Sequence, residues 1–150
     1  MFMNLLRKIW GIVIAAIISS CHSGTFDTIS PDGTLKVGVV TTKDGDYGKA
    51  AFVVHYKGDS ILFRSELGLE TDAQKFAGNL RLKSVSEPKS VIDDYRMITG
   101  KRSHCVNEAS ERVYSLENDE GQILEVTFRV YNDGIAFKYG LKAISDEEHI

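Results

Sequence analysis

The chain has 150 residues, 43% of them hydrophobic, and 18 Lys and Arg against 21 Asp and Glu give a formal net charge of −3. That mild acidity speaks against nucleic acid as a partner. The length suits one domain that buries about two-thirds of its surface on folding.

The first twenty residues read as an export signal. Arg7 and Lys8 form a short basic region, Ile9 to Ile18 is apolar, and Ser19-Ser20-Cys21 follows. The apolar run falls well short of the about 20 residues needed to span a bilayer. A basic start, a short apolar core and a small-residue exit describe a secretory signal. The cysteine after the small residues resembles the bacterial lipoprotein type, in which it is lipidated and becomes the first mature residue. Ile18 departs from that pattern, which more often carries leucine; an uncleaved anchor or a plain secretory signal is the alternative. The expected organisation is a signal over 1–20, a tether over 21–27 and one domain over 28–150. Cys21 would hold an exported domain on a membrane, facing the periplasm or the outside. Loss of Arg7 and Lys8 takes the charge to −5. Cys105 is then the one cysteine left unlipidated, so an internal disulfide is excluded and stability rests on core burial.

Beyond the tether, the signals are those of short strands. Pro31-Asp32-Gly33 is turn chemistry, and Leu35, Val37 and Val39 alternate after it. Lys43 to Asp46 is the next turn. Ala51 to Tyr56 and Ser60 to Arg64 form a hairpin around Lys57-Gly58-Asp59, with Leu67 to Leu69 as a short continuation. Thr71 to Gly78 reads as loop or a helical turn. Leu80, Leu82 and Val85 resume strand character, and Pro88 stops it. Val91 to Met97 can form a strand, whereas 100–110 is polar and without period. Glu111 to Leu116 is a strand and Glu117 to Gly121 a turn.

The clearest element comes last. Leu124, Val126, Phe128 and Val130 alternate with polar residues, and so do Ile135, Phe137, Tyr139 and Leu141. A period of two gives each strand one wet and one dry face. A two-residue Asp133-Gly134 loop in a type I′ turn would set Val130 opposite Phe137, Phe128 opposite Tyr139 and Val126 opposite Leu141. No helix-period stripe of useful length occurs, and turn signals recur every eight to twelve or so residues. The fold class is all-β, an antiparallel β-sandwich in one domain.

Chemistry is sparse. Asp93-Asp94 is the one adjacent aspartate pair, and neighbours on a strand point to opposite faces, a poor arrangement for paired acid and base. His104-Cys105 lacks further ligands at zinc spacing, and Cys105 has no nameable partner as a nucleophile. Asp44-Gly45-Asp46 and 118–121 read as turns, since neither has an EF-hand pattern. The segment from Asp93 to Glu111 is harder to explain by fold alone. It is long, polar and contains an aromatic, with Lys101, Arg102, Asn107 and Glu108 close together. Long ordered loops tend to carry function, and a plain solvated connection is the alternative. Tyr95, Tyr114 and Tyr131 could serve as platforms for sugar rings, or fill the core or a domain interface.

Several motifs in order carry a family resemblance. They are SPDG at Ser30 to Gly33, LGL at Leu67 to Leu69, a segment leading into GKRS at Gly100 to Ser103, an asparagine and glutamate after it, and FRVYNDGIAFKY at Phe128 to Tyr139. Together they resemble the N-terminal domain of glycoside hydrolase family 97, over about residues 28 to 144. The resemblance implies a β-super-sandwich preceding a (β/α)8 catalytic barrel that is absent from this chain. It implies hydrolysis of α-glucosides or α-galactosides, and calcium, for full-length members. The family's catalytic carboxylates lie in the barrel, so no catalytic or metal residue can be carried over, and no activity is implied for this piece alone. Its implied partners are α-linked glycans and the barrel, in cis or as a neighbouring chain. Tyr95, Lys101, Arg102, Asn107, Glu108 and Tyr131 are the candidate carbohydrate-contacting or domain-interface residues. A stand-alone carbohydrate-binding or interaction lipoprotein is the alternative.

Overall fold

A computed structural model describes residues 27–42, 47–98 and 103–141. These residues form eleven strands: β1 (Thr28–Ile29), β2 (Leu35–Thr41), β3 (Ala50–Tyr56), β4 (Asp59–Leu67), β5 (Leu69–Glu70), β6 (Lys75–Phe76), β7 (Leu80–Val85), β8 (Lys89–Arg96), β9 (His104–Asn118), β10 (Ile123–Tyr131) and β11 (Ile135–Leu141). One sheet runs β1–β2–β3–β4. The second runs β11–β10–β9–β7, with β8 also paired to β9, and β5–β6 is a small ribbon. All pairings are antiparallel. The all-β sandwich expected from the alternation is the observed architecture.

The core forms where the dry faces of the two sheets meet. Leu35, Val37, Val39, Phe52 and Val54 of the first sheet pack on Leu80, Tyr114, Leu116, Leu124, Val126, Phe128 and Val130 of the second. Phe52 and Phe128, 5.4 Å apart, join the two layers, and within the second sheet Tyr114 meets Phe128 edge-on at 5.7 Å. Such tilted and edge contacts suit the ring quadrupole and add to the area burial. One buried polar link accompanies them, between Thr28 Oγ1 and the Tyr114 hydroxyl at 2.9 Å. Tyr114 is therefore core rather than a platform for ligand, and burial pushes its phenol up from the ordinary range.

The turns follow their residues. Tyr56 pairs with Asp59, and Lys57 and Gly58 both have positive φ, 51° and 95°. That is the type I′ requirement, met here one residue earlier than the three-residue turn in the sequence reading. The last hairpin departs from expectation. Val130 pairs with Ile135, Phe128 with Phe137 and Val126 with Tyr139, and the Tyr131 N–H donates to the Gly134 carbonyl at 2.8 Å. The loop is Asn132-Asp133, and none of Asn132, Asp133 and Gly134 has positive φ. The register is therefore two residues from the predicted one. Parity keeps the same side chains inside, so alternation could not distinguish the two. What favours the observed turn is tertiary: Asn132 Oδ1 accepts the Asp32 N–H at 3.0 Å, tying this turn to the one at Pro31 to Gly33.

Three further expectations are corrected. Residues 71–78 are not a plain loop but contain β6, which pairs with β5 and plugs fully buried Phe76 into the core. Glu117 and Asn118 belong to β9 and are buried rather than in a turn. The long polar segment is mostly β8 and β9, which pair from Lys89↔Glu111 to Arg96↔His104. Beyond Tyr131↔Ala109, β9 has no pairing to β10, so residues 104–108 and their β8 partners project as a two-stranded arm. The expected turn at Lys43 to Asp46 lies outside the described residues.

Candidate functional site

The face of the second sheet turned away from the core carries two polar clusters. Register explains the first. Asp93 stands opposite Asn107, Arg129 opposite Glu111, and Tyr131 opposite Ala109, which itself faces Val91. Fully buried Ala109 has only a methyl group, which leaves room for the Tyr131 phenol to cross β9 toward β8. The phenol donates to Asp93 Oδ2 at 2.6 Å, Arg129 Nη1 donates to Asp93 Oδ1 at 3.0 Å, and Arg129 Nε donates to Glu111 Oε2 at 2.6 Å. Four side chains from three strands thus hold one geometry. The bond to the Asp93 carboxylate, with burial second, raises the Tyr131 phenol above its ordinary pKa; the bond to Glu111 raises that of the Arg129 guanidinium.

The second cluster lies toward the other end of β9. The Glu117 carboxylate accepts Lys83 Nζ at 2.7 Å and Arg81 Nε at 2.8 Å, with a further short bond from Arg81 Nη2. Lys83 and then Arg81 hold the Glu117 carboxyl below the ordinary carboxylate range. A buried carboxylate this well paired fastens β7 to β9 and leaves little for a ligand.

An open groove of about 550 Å³ adjoins the first cluster, lined by Ile92 to Tyr95 of β8, Asn107 of β9, and Tyr131 and Asp133 at the end of β10. A smaller hollow of about 230 Å³ shares Tyr131 and is lined also by Thr127, Arg129, Ala136, Phe137 and Lys138. Of the residues singled out in the sequence, the structure brings Tyr95, Asn107 and Tyr131 together at the first groove. Glu108 points to the opposite face, where it accepts the Ser90 hydroxyl at 3.1 Å. Lys101, Arg102 and Cys21 lie outside the described residues. Asp93 and Asp94 do part company, as strand alternation requires: Asp93 joins Arg129 and Tyr131, and Asp94 pairs with His104 Nε2 at 2.6 Å. The sequence does not single out Asp133 at the groove, nor Arg129 and Glu111, which hold the Asp93–Tyr131 pair from beside it; Asp93 stands out there only as half of a poor acid/base pair. Cys105 is a free thiol, half-buried. Among the described residues, no three of His, Cys, Asp and Glu converge as a metal shell.

Comparison with known proteins identifies the fold. The family model for the glycosyl-hydrolase 97 N-terminal domain matches residues 29–150. The chain belongs to that family. It is 30% identical over 98 residues to a protein of Streptomyces bingchenggensis (strain BCW-1) named "Probable retaining alpha-galactosidase", a match that covers 65% of this chain and 15% of that one. Its structure superimposes on that of a β-arabinopyranosidase with a TM-score of 0.71 and 32% identity, over 78% of this chain and 18% of that one. It also matches the fold of a family 97 enzyme from Pseudoalteromonas sp. strain K8, solved with panose and with acarbose. There the TM-score is 0.66 and the identity 19%, over 77% of this chain and 17% of the enzyme. The chain therefore spans less than a fifth of the length of these relatives.

Proposed function

We propose that this sandwich packs on the catalytic barrel of a family 97 glycosidase acting on α-linked glycans and shapes one side of its carbohydrate site. The observation that carries the packing is an apolar strip on β4. Ile61 is 61% exposed and Phe63 81% exposed, with Leu62 between them, on a strand whose one named partner is β3. Arg64, at φ 51°, sits in a bulge that breaks the β3–β4 register beside this strip. An exposed apolar edge strand is a liability unless something covers it. Membership of the family supports the catalytic domain of such an enzyme as that cover.

In this reading the chain supplies no catalytic group of its own. We also propose that it is exported and held on a membrane through a lipidated Cys21, facing the periplasm or the outside. The test of the packing reading is the DNA downstream of the codon for Ile150. A (β/α)8 barrel encoded there, in frame or after a frameshift, is the expected result. Unrelated sequence at that position overturns the reading.

A further inference from the structure

From the groove beside Tyr131, we infer that this domain carries its own binding site for a neutral saccharide, with Tyr95, Asn107, Asp93 and Tyr131 as its contacts. The site does not depend on the barrel, because all four residues belong to β8, β9 and β10 of this chain. Its volume of about 550 Å³ falls within the range of small-ligand sites. Its lining combines what sugar recognition requires. Two tyrosines offer ring surface, of which Tyr95 is 46% exposed. Asn107 offers both amide donor and carbonyl acceptor, and Asp93 lies directly across from it.

The state of Asp93 selects the ligand. An ionised carboxylate has about four lone-pair positions. Two of them take the Tyr131 hydroxyl and Arg129, which fixes the group and offsets its charge. The remaining positions can accept ligand hydroxyls without the carboxylate having to move. Arg129 is itself engaged by Asp93 and Glu111, so an anion finds no uncommitted guanidinium. Asp94 is turned away onto His104. With Asp133 adding a further acceptor at the groove, the lining suits a polyhydroxylated ligand without negative charge that both stacks and donates.

The test uses the full 150-residue chain in a detergent without a sugar headgroup, with panose and methyl α-galactoside as probes. Saturation-transfer NMR and titration calorimetry should detect at least one of them with a millimolar dissociation constant. Tyr95→Ala, at an exposed position, should weaken binding at least about tenfold while leaving the unfolding temperature unchanged. Asn107→Ala serves as an independent second variant, and Ile61→Ser, on the other sheet, should leave affinity unchanged. Failure of wild type to bind either probe overturns the inference, as does binding that survives both groove substitutions. Neither outcome bears on whether β4 packs on a barrel.

Discussion

The Tyr131 phenol donates to Asp93 Oδ2 at 2.6 Å, joining two residues 38 positions apart in the chain. The bond crosses β9 and clamps the base of the β8–β9 arm to the body of the sheet. Tyr131→Phe keeps the ring and removes the hydroxyl, while Asp93 retains Arg129. A hydrogen bond to a charged group contributes about 1.5–3 kcal/mol when buried, and partial exposure brings this nearer to about 1 kcal/mol. The expected result is a lower denaturant midpoint by that amount with an unchanged slope. In hydrogen exchange, the amides of Ile92 to Tyr95 should lose protection before those of β10.

Phe128 is the centre of the aromatic core. It is fully buried and lies within 5.7 Å, ring to ring, of Phe52, Tyr114 and Phe137. Phe128→Ala should destabilise the domain by about 3–5 kcal/mol, a large share of the stability of a chain this size. Phe128→Leu should cost much less. Urea unfolding of the two variants checks both the size and the order of the effects.

Glu117 gives the fold a defined acid sensitivity. Lys83 and Arg81 depress its folded-state pKa below the ordinary 4.5. A depressed carboxyl contributes stability that is fully present above its unfolded pKa and is lost as pH falls through the folded value. Wild type should therefore be more stable than Glu117→Gln near neutral pH, and the gap should close as pH drops below 4.5. Urea midpoints measured across that range test the sign. A gap that widens in acid would contradict it.

Much of the sandwich was legible because its cores alternate. Val126, Phe128 and Val130 show period two, and each is fully buried. The arm at 104–108 has no such signal: it pairs on one side only, Val106 is 57% exposed, and neither face is dry enough to impose a period. The hairpin register was missed because two positions along a strand restore the same face, and Asn132 chooses between registers through a bond to Asp32 across the molecule. The two-residue strands of the β5–β6 ribbon are shorter than any periodic window. Within the groove, Tyr95, Asn107 and Tyr131 drew notice by type and position. Asp93 gains its meaning only from Arg129 and Tyr131, which the chain brings to it over 36 and 38 residues.

Cys21 carries the expectation about location. Lipidation with two or more acyl chains anchors a protein stably, whereas a single myristoyl-length chain binds only marginally. Cells fed labelled palmitate should incorporate label into wild type and not into Cys21→Ser, with wild type in the membrane fraction. Unlabelled wild type in the soluble fraction would remove this part of the account.

The most direct measurement concerns the β4 strip. Hydrogen exchange of Asp59 to Leu67 can be compared between this chain and the same chain joined to the catalytic barrel of a family 97 enzyme. Ile61 and Phe63, at 61% and 81% exposed, are open in the domain described here. The account predicts that β4 amides gain strong protection in the longer protein, and that Ile61→Ser with Phe63→Ser removes both that protection and hydrolysis of α-linked substrates. Equal exchange of β4 in the two proteins, with activity indifferent to the substitutions, would contradict it.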